Sequence, residues 1–184
     1  MPHSFNIHAE AWPLAGAFRI SRGTRKVSDV LMVELGDGSY MGRGECFPYA
    51  RYGEDIESVQ KQLNSVRSEI EDGLDRQALL NVLAPGAARN AVDCALWDLE
   101  AKRAGTRVWD LAGLPAPEPV TTVYTLGVDE PAVMGERARE NSDRPRLKLK
   151  MTGDGADLER VRNIHKNAPN ETVKTIKCLT TVFM

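Results

Sequence analysis

Three prolines within six residues, LPAPEP at 114–119, split this chain into two stretches with different hydrophobic patterns. Proline fixes φ and removes an amide donor, so such a run makes a stiff connector rather than part of a helix or sheet. Before it, strand-like runs are followed by helical periodicity. After it, short strands alternate with helices. The pattern predicts a first domain over 1–114, a connector at 115–119, two βα units over 120–169 and a tail at 170–184.

In the first stretch, residues 3–12 (HSFNIHAEAW) suit an opening strand, which Pro13 and Gly16 are expected to end. Residues 27–35 and 39–47 flank the turn Gly36-Asp37-Gly38 and predict a hairpin. Ile56, Val59, Leu63, Val66 and Ile70 fall at spacings of three and four, the apolar stripe of one amphipathic helix. Glu54 and Asp55 are expected in its first turn, where the helix dipole favours anions. A short helix is expected from Arg76 to Leu83, with Asp75 as its cap. A long one is expected over about Ala87 to Ala104, with Gly105 just past its end. Residues 106–113 predict one or two further helical turns. Cys94 reads as a buried small hydrophobe, and Trp97 and Trp109 read as core anchors.

Beyond the connector, Thr121 to Gly127 is a β-branched run, and Asp129 and Pro131 start a helix to about Glu140. Residues 146–151 (RLKLKM) form a short alternating strand. Asp154, with Asp157 three residues on, starts a helix to about Asn167. Strands alternating with helices at this spacing imply a parallel sheet built from βα units.

Lysine plus arginine number 24 against 26 acidic residues, for a net charge of −2. That balance argues against a nucleic-acid partner, which would need a basic stripe. No segment is apolar enough to suggest a signal peptide or a membrane span, so no membrane partner is expected. The cysteines, Cys46, Cys94 and Cys178, are three and far apart, which favours a reducing cytoplasm over a disulfide framework. Oligomeric state is not legible in the sequence, and a homo-oligomer stays compatible with it.

Lys148 and Lys150 stand two apart on the strand RLKLKM. Side chains alternate across a strand, so both ammonium groups project from one face while Leu147, Leu149 and Met151 take the other. Taken alone, the pair reads more readily as a solvated edge, where lysine blocks aggregation. In a βα barrel the same face would be the interior, near the mouth where such enzymes react. Two cations held close disfavour each other's charge, which suits one of them to act as a general base.

Three stretches, GRGECFPYARYGE at 42–54, GAARNAVDCALWDLEAKRAG at 86–105 and RLKLKM at 146–151, change that balance. In composition, order and spacing they resemble L-Ala-D/L-Glu (dipeptide) epimerases of the enolase superfamily, over residues 1 to about 169. The resemblance implies an α+β capping domain, an antiparallel meander plus helices, followed by the first βα units of an incomplete modified TIM barrel. It implies an isomerase: a Mg²⁺-dependent epimerase or racemase that abstracts the α-proton of a small-molecule substrate, a dipeptide or N-acyl amino acid. Lys150 matches the base on one face of the substrate, and Lys148 matches the auxiliary lysine at the carboxylate oxygen. Arg22 matches an arginine that reaches over the barrel to the acidic end of an Ala-Glu substrate, with Arg25 competing for that role. Thr125 matches a pocket-lining position.

The chain departs from the family in its last stretch, 170–184, where the resemblance ends. The family's Mg²⁺ ligands are carboxylates on later strands, and no aspartate follows Asp157 here. The expectation is therefore a chain truncated or frameshifted after about residue 169, carrying no metal ligands and inactive by itself. The alternatives are a non-catalytic truncated remnant or interaction module, or another activity of the superfamily such as N-acylamino acid racemase or cycloisomerase.

Overall fold

The computed structural model describes residues 4–20 and 23–168, and the backbone of 172–177. The chain divides into two compact units, Met1–Pro13 with Val27–Pro117, and Leu14–Lys26 with Glu118–Met184.

The first unit takes the greater part of an antiparallel sheet of order β1-β2-β3: β1 (Ser4–Ile20), β2 (Gly23–Gly36) and β3 (Met41–Cys46). β1 does not stop at Pro13 and Gly16 as the turn residues suggest; it runs through both. Residues 11–19 are exposed, and a proline on a solvated strand loses no ladder bond that the core requires. The β2–β3 hairpin forms as the sequence predicts, with Leu31 opposite Cys46 and Gly36 opposite Met41. Asp37 closes its turn by accepting from the amides of Ser39 and Tyr40 at 2.9 and 2.8 Å.

A single 3-10 turn at Ala50–Tyr52 leads into α1 (Ile56–Ser65) and α2 (Arg67–Glu71). The predicted single helix breaks at Val66, whose φ of −114° and ψ of 16° leave the helical region while its side chain stays in the core. Asp55 and Ser58 form a reciprocal capping box at the start of α1. α3 (Arg76–Val82) is capped by Asp75, which accepts from the Ala78 amide at 2.8 Å. α4 (Ala87–Ala104) runs 18 residues, and the short α5 (Val108–Leu111) follows.

Packing of α4 on β3 explains the glycines of the GRGEC stretch. Alternation along β3 points Gly42, Gly44 and Cys46 inward. A Cβ on Gly42 would overlap the Ala95 carbonyl oxygen, and one on Gly44 the Ala91 carbonyl oxygen. Small residues on both elements let the two backbones meet, and Leu31, Val33, Leu35, Leu63, Val92 and Leu99 fill the space around them. The polar face of α4 completes the junction. Asp98 accepts from the Arg43 amide at 2.8 Å, and Lys102 donates to the Met41 carbonyl at 2.7 Å.

Two expectations about this unit fail. Cys94 is exposed rather than buried, because it lies on the α4 flank turned from β3. Trp97 is half-buried beneath the Arg76 guanidinium, 3.4 Å from the ring centroid, and Trp109 is likewise half-buried on a helix with no buried residue.

In the second unit the sheet order is β4-β5-β6: β4 (Tyr124–Leu126), β5 (Arg146–Met151) and β6 (Thr172–Lys177), all parallel. α6 (Pro131–Glu140) and α7 (Asp157–Asn167) connect them. Leu147, Leu149 and Met151 pack with Met134 and Ala138 of α6 and Ile164 of α7 in one apolar cluster. β4 is shorter than the run 121–127 suggests, since Val120 to Val123 are exposed and outside any strand. The segment 14–26 belongs by its contacts to this unit; the Val128 amide donates to the Arg19 carbonyl at 3.0 Å.

Candidate active site

β5 carries the lysine pair. Its residues alternate strictly between half-buried and buried, with Arg146, Lys148 and Lys150 on the half-buried face. The opposite face is anchored by leucines that are fully buried, so a slip of one residue would drive both ammonium groups into the helical layer. Thr125 lies directly beside Lys148 in the parallel register of β4 and β5. Three of the five residues singled out in the sequence thus share one face: Thr125, Lys148 and Lys150.

The other two lie elsewhere. Arg25 is an exposed residue of β2, within the segment 14–26 that belongs to the second unit. Arg22 lies outside the described residues.

Loops at the C-terminal ends of β4 and β5 are tied together by a residue that the sequence reading passed over. Arg160, on the first turn of α7, is 5 % exposed and is the one buried charged side chain among the described residues. Its Nε donates to the Asp129 carbonyl after β4 at 2.8 Å. Its Nη1 donates to the Asp157 carboxylate at 2.9 Å and to the Thr152 hydroxyl at 3.2 Å. Both terminal nitrogens grip Asp154, which lies in the GDG turn after β5. These bonds hold the Asp154 carboxyl well below the usual carboxylate range and push the Arg160 guanidinium up.

Asp154 therefore does not cap α7 as its position suggests. Ala156 is the N-cap, while Asp154 accepts from the Ala156 amide at 3.0 Å inside the turn. Asp157 accepts from the Gly153 amide at 2.8 Å. Asp157 and Arg160, three apart on α7, share a helix face that the sequence shows, whereas the bonds to Asp154 and Asp129 join Arg160 to loops outside the helix.

Glu54 is a second role that local reading misplaces. It precedes the Asp55 cap instead of joining the first turn of α1, and its carboxylate accepts from the Ala87 amide at 2.7 Å. The start of α4 has no cap from its own Gly86 side, so this carboxylate supplies it from 33 residues away.

No group of three or more His, Cys, Asp or Glu is placed to hold a metal ion among the described residues. Nor is any helix among them long and apolar enough to cross a membrane.

Known proteins share this fold. The L-Ala-D/L-Glu epimerase of Escherichia coli is 46 % identical over 132 residues, a match covering 72 % of this chain and 41 % of that protein. A crystal structure of an enolase family member from Agrobacterium tumefaciens with homology to dipeptide epimerases, bound to sodium and L-Ala-L-Glu, superposes with a TM-score of 0.87 at 44 % identity. It covers 95 % of this chain and 53 % of that one. The dipeptide epimerase of Enterococcus faecalis, complexed with Mg and L-Leu-L-Tyr, superposes with a TM-score of 0.82 at 27 % identity, covering 95 % and 53 %. The chain thus spans about half the length of the relatives it matches. Residues 3–113 match the N-terminal domain of mandelate racemase and muconate lactonizing enzyme, and it is to this family that the chain belongs.

Proposed function

We propose that this chain supplies the cap and the first catalytic strand of an isomerase that epimerises dipeptides of the L-Ala-D/L-Glu type. The observation that carries the reading is the β5 register. It presents Lys148 and Lys150 together on the face opposite the helices, with Thr125 beside Lys148.

In this reading the Lys150 amine takes the α-proton from one face of the substrate and becomes an ammonium. Lys148 helps to hold the negative charge that develops on the carboxylate oxygen. Thr125 lines the pocket, and Arg22 or Arg25 pairs with the acidic side chain of the substrate by a forked guanidinium contact. By the family resemblance, a second base from a later strand returns a proton to the opposite face, which inverts the centre. Mg²⁺ is the metal of the family's complexes. Among the described residues no group of three or more His, Cys, Asp or Glu is placed to hold it.

Closure of a barrel takes about eight tilted strands, and the sheet has three among the described residues, so the reading assigns these residues a part of the catalytic pocket rather than the whole of it. Free thiols at Cys46 and Cys94 support a cytoplasmic setting.

The test is solvent exchange of the α-proton of L-Ala-D-Glu in deuterated water. The protein is residues 1–168 joined to the part of the Agrobacterium tumefaciens relative that follows the position superposing on residue 168. Exchange is expected there and absent from the 184-residue chain. A joined protein that folds yet exchanges no proton from this dipeptide overturns the substrate assignment.

A further inference from the structure

β4 is held beside β5 by a short ladder. It pairs Tyr124 with Leu147, Thr125 with Lys148 and Leu126 with Leu149. So few pairs open readily, and the height of Thr125 against Lys148 then depends on what fastens the C-terminal ends of the two strands. One side chain grips both. Arg160 Nε donates to the Asp129 carbonyl in the loop after β4. Its Nη1 donates to the hydroxyl of Thr152, the residue that follows β5, and to Asp154 and Asp157. Asp157 in turn accepts from the Thr152 and Gly153 amides at 3.3 and 2.8 Å. The Asp129 carboxylate is fixed separately by Arg137 at 3.0 Å. All these residues belong to the second unit.

The guanidinium itself is fully engaged within the protein. It is 5 % exposed, and Nε, Nη1 and Nη2 all donate to protein oxygens. A buried charge is costly unless its partners are in place, so the two loops are held to one arrangement. That arrangement fixes the spacing of Thr125, Lys148 and Lys150 on their common face. A misplacement of about 1 Å can lower the rate of an enzymatic step about 100-fold.

We propose that Arg160 is a positioning residue for the lysine pair. By fastening the loops after β4 and β5 to the first turn of α7, it sets Thr125 and Lys150 at the heights that proton transfer requires. The kinetic half of this rests on the epimerase reading above; the geometric half does not.

Two measurements test it. In the 184-residue chain, amide exchange is compared between parent and Arg160→Gln. Exchange at 124–126 and 147–150 is expected to quicken at least tenfold, while 135–140 of α6, in the same unit, keep the parent rate. A general loss of stability would quicken α6 as well. In the joined protein, Arg160→Gln is expected to lower kcat for exchange of L-Ala-D-Glu by about 30-fold or more, with KM within about threefold. Asp154→Asn, which gives up one arm of the fork and leaves the other bonds of Arg160 in place, should lower kcat by a smaller factor. Arg76→Gln loses a comparable fork to Glu100 in the first unit and should keep the parent kcat. Unchanged exchange at β4 and β5, quickened exchange that includes α6, or a folded Arg160→Gln whose kcat stays within about twofold would each overturn the assignment. A joined parent that exchanges no proton refutes the substrate reading, and the amide measurement then decides the clamp.

Discussion

Arg160 holds Asp154 with two nitrogens, Nη1 at 2.6 Å from Oδ1 and Nη2 at 2.8 Å from Oδ2. The pair fixes the turn that follows the lysine strand, and the Arg160 Nε fixes the loop after β4 through the Asp129 carbonyl. Replacing Arg160 with Ala removes bonds to two carboxylates, a hydroxyl and a carbonyl. The expected cost is about 1.5–3 kcal/mol, the scale of hydrogen bonds to charged groups. Urea unfolding of the chain and its variant measures it, and a change below about 0.5 kcal/mol would show that the clamp is dispensable.

Acid should loosen the same turn. The Asp154 carboxyl titrates lower in the folded chain than its ordinary value of 3.8, chiefly because of the Arg160 hydrogen bond and then the Ala156 amide. A carboxyl with a depressed folded pKa contributes stability that is full above its unfolded value and lost as pH falls below it. Asp37 is depressed as well, by the Tyr40 amide first and then by Arg103, so the parent loses stability at both sites. The stability gap between parent and Arg160→Gln should therefore be constant above about pH 5 and shrink below about pH 4. Thermal midpoints across pH 3 to 7 read it. A gap that widens in acid contradicts the assignment.

Gly44 admits no side chain. A Cβ there meets the Ala91 carbonyl and the Ala95 amide nitrogen, both backbone atoms of α4. Gly44→Ala is expected to cost about 3 kcal/mol or more, the upper range for overpacking, because neither partner can rotate away. Gly38→Ala in the exposed hairpin turn meets no atom within 4 Å and serves as the comparison, strained only by its φ of 91°. Equal denaturation midpoints for the two variants would contradict the close approach of α4 and β3.

Glu54 caps a helix distant in sequence. Glu54→Ala should lower stability by about 1–2 kcal/mol, the range for a lost N-terminal cap. Glu54→Gln should lose less, since the amide oxygen still accepts from Ala87 while the charge that favours the helix dipole is gone. If Gln proves as costly as Ala, the contribution is electrostatic rather than a hydrogen bond.

The thiols differ in reach. Burial pushes the Cys46 thiol up to about 11, whereas Cys94 is exposed on α4. Alkylation with iodoacetamide at pH 8, read by peptide mass spectrometry, should modify Cys94 well before Cys46. Modification of Cys46 first would mean that the β3–α4 junction opens readily.

Where periodicity is strict the chain could be read directly. β5 spans the RLKLKM run because its alternation has one solution, and α4, α6 and α7 end close to where their caps and prolines direct. β1 was misread because turn residues on an exposed strand cost little, so local propensity at Pro13 carried no weight. The helix expected over 56–70 breaks at Val66 without any glycine or proline to announce it. Of the candidate site, Thr125 beside Lys148 follows from two adjacent strands. The Arg160 clamp and the Glu54 cap do not, because each joins elements whose proximity only the folded chain defines.

The most direct measurement is the rate of α-proton exchange by the joined protein and its Lys150→Ala variant, run separately on L-Ala-D-Glu and L-Ala-L-Glu in deuterated water. Loss of exchange from at least one of the two epimers by about 100-fold or more is the predicted result, the scale of a missing general base. Exchange from both epimers at the parent rate would contradict the claim that the lysine face of β5 carries the base.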